Sequence, residues 1–377
     1  MISISIMLIF AIFFFSGIIP QTTLNGVVEY NEKPKREFKT IMNGKYQTEY
    51  SNWFSDNFPF RTYIVKMYDE VMFNTHSIVN GVKAGKNGDL FGEYFTRQSL
   101  IGTLDKTQVD NYARNLKFIQ DRLEARGKDL IYIITPSKAE ILPEDLPWNY
   151  RAAYDSLNQT ANIRLELNTN LEDYGVKYID YTDLMLRLKA EGEYPVFYRT
   201  GIHWSQYASS NATLELLKFI KNNTIFNTPF IKLSYNKIAK PELDEADYLA
   251  LLNLYKSNYA DDYYTSDIKL KEGEEPNLRV FSMSTSFSRS IMNLFGKSDI
   301  PFKYYWRSQY TQFQDKLYPD VERTYYESMQ PGVAVNEMNF EEIVDQSDLI
   351  IIENNACELP QSHIDFVQAL SEYLMKN

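Results

Sequence analysis

Two residues of this 377-residue chain stand out as able to do covalent chemistry. Ser286 lies in Ser284-Thr285-Ser286-Phe287, just after the β-branched and aromatic run Val280-Phe281, while Phe287, Ile291, Leu294 and Phe295 recur beyond it at helical spacing. The segment reads as strand, tight turn, helix. Such a turn lifts a side chain off the end of a sheet, where the first N–H groups of the helix point at whatever binds. Ser286 is therefore a candidate nucleophile, provided that a base takes its proton. Of the three histidines, His203 sits in Arg199-Thr200-Gly201-Ile202-His203-Trp204-Ser205 and is the candidate base. Each residue also has an ordinary reading, a helix cap or solvated hydroxyl for Ser286 and a packed ring for His203.

The pair resembles the SGNH-hydrolase-like domain of the alginate O-acetyltransferase family, whose Thr-Asp-Thr-His-Trp and Gly-Asp-Ser-Phe segments carry an Asp–His–Ser triad in that order. Here the segments read Thr200-Gly201-Ile202-His203-Trp204 and Ser284-Thr285-Ser286-Phe287. Four further stretches look like the family in the right order: Gly85 to Phe91, Thr135-Pro136-Ser137-Lys138, Asp247 to Leu254, and Asp348 to Asn355. The family's triad aspartate falls on Gly201. Its role is to hold the imidazole tautomer and stabilise the imidazolium, so either another acceptor orients His203, or a Ser–His dyad operates, or the chemistry has been lost.

Composition narrows the partners. Lysine and arginine total 39 against 50 aspartate and glutamate, a formal net charge of −11. That balance argues against nucleic acid, which wants clustered cations, and would repel an anionic polymer unless a local basic strip offsets it. The 29 tyrosines and 23 phenylalanines suit core packing first and sugar stacking second. Cys357, the only cysteine, excludes an intrachain disulfide. Scattered histidines with no partner cysteine argue against a metal, and no phosphate loop or dinucleotide glycine fingerprint suggests a cofactor.

The elements needed to position the pair follow in order. Residues 2 to 19 are uncharged and rich in Ile and Phe, with neither a basic start nor a small-residue cleavage site, so residues 1–20 read as a transmembrane anchor or an uncleaved signal. Residues 21–80 read as a polar tether and two juxtamembrane amphipathic segments divided by Pro59. Residues 81–377 read as one domain. Within it, Asn87-Gly88 marks a turn, Asp105 caps a helix running to Gly127, and Leu130 to Ile134 form a buried parallel strand. Val176 to Ile179 and Phe302 to Trp306 read as further strands, Ser205 caps a helix through Ile220, and Phe340 to Leu374 read as helix, strand, helix. Residues 221 to 276 show little pattern. This alternation predicts an α/β sandwich with a largely parallel sheet, and the resemblance makes it an SGNH-hydrolase-like three-layer sandwich preceded by a transmembrane helix.

The resemblance implies O-acetyl transfer to hydroxyls of an extracellular polysaccharide, with Ser286 and His203 forming and resolving an acyl-enzyme. It also implies a membrane-bound O-acyltransferase partner as donor and a domain outside the cell, extracellular or periplasmic. Oxyanion or pocket candidates are the turn residues Thr285 and Phe287, then Trp204, then Ser137 and Lys138 at one strand end and Asn354 and Asn355 at another. Two alternatives stay open: a carbohydrate acetylesterase using the same pair, and a non-catalytic, membrane-tethered polysaccharide-binding component of an export complex, which Gly201 favours.

Overall fold

The computed structural model describes residues 24–25, 31–58, 60–156, 162–242, 245–256, 259, 261–270, 278–298, 300, 302–306, 313–316 and 334–377. The proposed membrane span, residues 2 to 19, lies outside them. Among the described residues no helix is long and apolar enough to cross a membrane. The chain divides into two compact units, Met1–Ala84 with Asp247–Ala260, and Gly85–Ala246 with Asp261–Asn377.

In the first unit, helices Phe38–Met42, Lys45–Asp56 and Arg61–His76 lead to a short hairpin of β1 (Ile78–Val79) and β2 (Val82–Ala84). The returning segment carries helix Asp247–Leu251. Polar and ring contacts hold it to this unit: the Asn80 amide donates to the Leu251 carbonyl at 2.8 Å, the Tyr255 N–H to the Glu70 carboxylate at 2.9 Å, and the Tyr255 ring stacks on that of Tyr63.

The second unit holds β3 (Leu90–Gly92), β4 (Asp129–Thr135), β5 (Tyr178–Asp180), β6 (Ile231–Ile238), β7 (Tyr263–Leu270), β8 (Val280–Ser284), β9 (Phe302–Trp306), β10 (Phe313–Lys316) and β11 (Leu349–Asn355). Its main sheet runs β10-β9-β8-β11-β4-β5. All neighbours are parallel except the β10–β9 pair at the edge. The expected largely parallel α/β sandwich is what the chain adopts.

Because successive strand residues face opposite ways, one apolar run fills two cores. Ile131, Ile133, Val280, Leu349 and Ile351 join one cluster with residues of helices Thr182–Glu191, Gln206–Asn223 and Ser288–Lys297. Leu130, Tyr132, Ile134, Phe281, Met283, Ile350 and Ile352 join the other, with residues of helices Lys106–Glu124, Ile163–Tyr174 and Gln361–Lys376. Local signals act as expected at two helix starts, where Asp105 accepts from the Gln108 N–H at 2.8 Å and Ser205 from the Ala208 N–H at 3.2 Å.

Besides helix Asp247–Leu251, the unpatterned stretch holds the antiparallel pair β6–β7. Ile231, Leu233, Tyr235 and Ile268 turn toward the core that includes helix Gln206–Asn223, while Lys232, Ser234 and Asn236 stay exposed.

Ile351 is fully buried in the strand between β8 and β4. Ile351→Ala removes most of a core side chain from a site walled by sheet and helix, and is expected to lower unfolding free energy by about 3 kcal/mol. Chemical denaturation measures this; a loss below about 1 kcal/mol would contradict the close packing described.

Candidate active site

Parallel register brings strand ends to a common crest. Asn355 of β11 lies opposite Thr135 of β4, and Ile352 opposite Met283 of β8. Open α/β sheets bind ligands beyond such carboxyl ends. Ser286 stands here, in the turn between Ser284 and helix Ser288–Lys297. It is half-buried, whereas Ser284, Thr285, Phe287 and Ser288 around it are all buried.

His203 reaches Ser286 from another loop. Its Nε2 lies 2.8 Å from the Ser286 Oγ, across 83 positions of sequence. That is within reach for a base and its nucleophile. The His203 ring packs on the Phe287 ring at 4.8 Å, a contact that limits its swing.

Neighbouring groups explain why the loop stays in place. The Trp204 indole donates to the Phe287 carbonyl at 3.2 Å and lies 3.0 Å from the Ser290 hydroxyl, tying the histidine loop to the start of the serine's helix. Ser205 donates through its hydroxyl to the Pro195 carbonyl at 2.7 Å, and its N–H to the Val196 carbonyl at 2.9 Å. Thr200 lies 3.2 Å from the Asp261 carboxylate, which also pairs with Arg199 at 2.7 Å.

Lys138 supplies the strongest clamp. Its buried ammonium contacts the carbonyls of Leu90, Tyr198, Arg199 and Gly201 at 2.8–3.2 Å and the Asp89 carboxylate at 3.2 Å. Burial pushes the Asp89 carboxyl up, and the lysine charge pulls against that shift. A cation sharing this many oxygens holds the His203 loop from beneath. The expectation that Lys138 lines a reactive pocket therefore gives way to a structural role.

The other candidates divide in the same manner. Ser137 is buried with its hydroxyl against that of Ser99. Asn354 accepts from the Tyr132 hydroxyl and donates to the carbonyls of Asn355 and Glu358 at 2.9 Å. The Asn355 amide donates to the Pro136 carbonyl at 2.9 Å and accepts from the Cys357 N–H at 3.2 Å. As oxyanion donors these asparagines are corrected, because their side chains serve the protein's own backbone. Trp204 is also buried, so its faces are closed to a sugar ring. The Phe287 N–H leans to the Thr285 hydroxyl at 3.3 Å, a long bond for a buried donor.

Two carboxyls escaped sequence reasoning. Glu353, near the end of β11, lies fully buried beneath the Ser286 turn. Glu245 accepts from the Gln206 N–H at 3.0 Å and the Glu242 N–H at 3.1 Å, and burial pushes its carboxyl up to about 8. For Glu353 the signal existed: an acid closing the apolar run Leu349 to Ile352 has to be satisfied inside.

The SGNH hydrolase-like domain model described as acetyltransferase AlgX matches residues 82–276, a stretch that includes the His203 loop and ends before Ser286. The chain belongs to this family. Its fold is thus the SGNH-hydrolase-like sandwich expected from the paired motifs. A probable alginate O-acetylase AlgJ of Pseudomonas aeruginosa is 26% identical over 219 residues, covering 57% of this chain and 52% of the relative. The chain thus spans about half the length of that curated relative. The O-acetyltransferase domain of Pseudomonas putida AlgJ aligns with TM-score 0.45 at 15% identity, over 77% of this chain and 99% of that one. AlgX of Pseudomonas aeruginosa aligns with TM-score 0.49 at 14% identity, over 82% and 70%. Gly201, the position at which the sequence resemblance expects an acid, turns its carbonyl to Lys138 at 3.2 Å.

Replacing Lys138 tests the clamp. Lys138→Met leaves the Asp89 carboxylate buried without its cation and is expected to cost about 3–5 kcal/mol of stability, read by thermal or chemical unfolding. An unchanged midpoint would mean that the ammonium does not hold the loop.

Glu245 predicts a pH effect of definite sign. Its folded carboxyl binds a proton up to about 8, far above the ordinary 4.5, so between those values the unfolded state has released a proton that the folded state keeps. Unfolding free energy is expected to fall with rising pH across this window, by at most about 1.4 kcal/mol per unit, and the full contribution survives only below the window. Denaturation of wild type and Glu245→Gln at a series of pH values isolates the slope; parallel curves would refute it.

Proposed function

We propose that the chain transfers acetyl groups to hydroxyls of a polysaccharide outside the cell, through an acetyl-serine intermediate. The observation that carries this reading is the 2.8 Å contact between the His203 Nε2 and the Ser286 Oγ at the crest of the sheet. Ser286 attacks the acetyl carbonyl, His203 takes the hydroxyl proton, and collapse of the tetrahedral adduct expels the donor's leaving group with a proton from the imidazolium. An acceptor hydroxyl then gives its proton to His203 as it attacks the ester, and collapse of the second adduct releases the Ser286 Oγ, which takes that proton back from the imidazolium. Among the described residues no group accepts from the Ser286 N–H, which fits it for the oxyanion.

Family membership supports acetyl as the group transferred, and the relatives' description as alginate O-acetylases supports a polysaccharide acceptor. The donor is proposed to be a membrane-bound O-acyltransferase that hands acetyl groups across the membrane, with the uncharged N-terminal run as anchor. Water in place of the sugar hydroxyl gives the acetylesterase. Gly201 at the triad acid's position favours one further reading, a polysaccharide-binding component without chemistry.

A chromogenic acetyl ester with and without an oligosaccharide separates these readings. Transfer predicts an acetylated sugar; the esterase predicts acetate alone; the binding component predicts neither. Ser286→Ala and His203→Ala are each expected to lower kcat by about a thousandfold or more, and the double variant by no more than the worse single one, because the pair acts as a unit. Retained turnover in Ser286→Ala removes the proposal.

A further inference from the structure

The strongest unexplained group in the second unit is the fully buried Glu353 carboxyl, set where β11 passes beneath the nucleophile's turn. Its Oε2 accepts from the Thr285 N–H at 2.8 Å and lies 3.0 Å from the Ser288 hydroxyl. The Thr285 hydroxyl reaches both carboxyl oxygens, at 3.0 and 2.9 Å, and the Thr135 hydroxyl of β4 approaches Oε1 at 2.5 Å. One side chain therefore binds the residue before Ser286, a residue two places after it, and the adjacent strand end.

A fully buried carboxyl is costly, and burial pushes its proton affinity up against the hydrogen bonds made to it. An apolar residue at position 353 would fill the same space without that cost. Four donor groups from two segments of chain, converging on two oxygens, would however lose their common acceptor. The backbone N–H of Thr285 is the decisive member, because its direction is fixed and only an acceptor satisfies it.

We infer that Glu353 is a positioning residue that fixes the Thr285–Ser288 turn, so that the Ser286 hydroxyl meets His203 and the Ser286 N–H faces the oxyanion. The inference rests on Ser286 being the nucleophile. Geometry of this kind acts on rate more than on binding, since a displacement of about 1 Å at a reacting atom costs on the order of a hundredfold.

The test uses the full chain with a chromogenic acetyl ester and with a serine-directed sulfonyl fluoride. Glu353→Gln keeps the shape and one acceptor but turns an amide donor on a site built of donors. It is expected to lower kcat about 10- to 100-fold with KM within about twofold, and to slow covalent labelling of Ser286 in the same proportion, in protein of wild-type circular dichroism. Glu353→Asp, which keeps a carboxyl and withdraws it by one methylene, should recover part of the labelling rate. Wild-type kcat and labelling in folded Glu353→Gln would overturn the inference, as would a raised KM with kcat unchanged. If Glu353→Gln does not accumulate as folded protein, Thr135→Val removes one hydroxyl from the carboxyl while leaving the turn itself untouched. A fall of about threefold or more in labelling is then expected, and an unchanged rate overturns the proposal. Active Ser286→Ala would instead strike the underlying assignment, so the two failures are distinguishable.

Discussion

An imidazole and a hydroxyl that are 83 residues apart in sequence meet at 2.8 Å, and no local preference of the chain brings them together. The contact depends on sheet register. β8 delivers Ser286 at the same level at which β4 and β11 end, and those neighbours provide the groups that fix both partners. Lys138, just beyond β4, gathers carbonyls of the histidine loop, while Glu353 of β11 gathers the serine turn. A slip of one residue in either strand would turn every side chain to the other face and separate clamp from loop.

Both clamps are charged groups placed inside, which is an unfavourable way to add stability. A buried cation such as Lys138 gains from its oxygens roughly what it loses in hydration, and a well-packed apolar residue often does as well. What such groups add is direction. Apolar contacts fill the two cores but tolerate sliding, whereas an ammonium shared among the carbonyls of Tyr198, Arg199 and Gly201 defines where that backbone runs. The loops above the sheet also bury Val196, Phe197, Trp204 and Phe287 in the core. Polar side chains at the strand ends add the direction that those apolar contacts leave open.

This division also explains what the amino-acid sequence revealed. Periodicity is a property of burial, so the strands at Leu130 and Leu349, the helix from Lys106 and the strand–turn–helix around Ser286 were legible. Motif order brought Ser286 and His203 forward as a pair. The β6–β7 pair was missed because its alternation is mostly polar, with Ile231, Leu233, Tyr235 and Ile268 marking the inner face. Lys138, Asn354 and Asn355 were correctly placed at strand ends, but position along a strand does not say which way a polar side chain turns. Glu353 was overlooked for the converse reason: an acid is expected outside, and its partners Thr135, Thr285 and Ser288 are scattered through the chain.

Gly201 poses the remaining chemical question. A triad acid performs two duties at once, orienting the imidazole and stabilising the cation it becomes. In this chain orientation has other sources, since the Trp204 indole ties the loop to Phe287 and Ser290 and the Phe287 ring flanks the imidazole. Packing of that kind constrains where a ring lies but contributes little to the free energy of charging it, which depends on dipoles and charges nearby. If the pair is catalytic, the electrostatic duty therefore falls to a group other than residue 201. The loss of a carboxylate there weighs on the proton transfer and leaves the meeting of the two side chains intact.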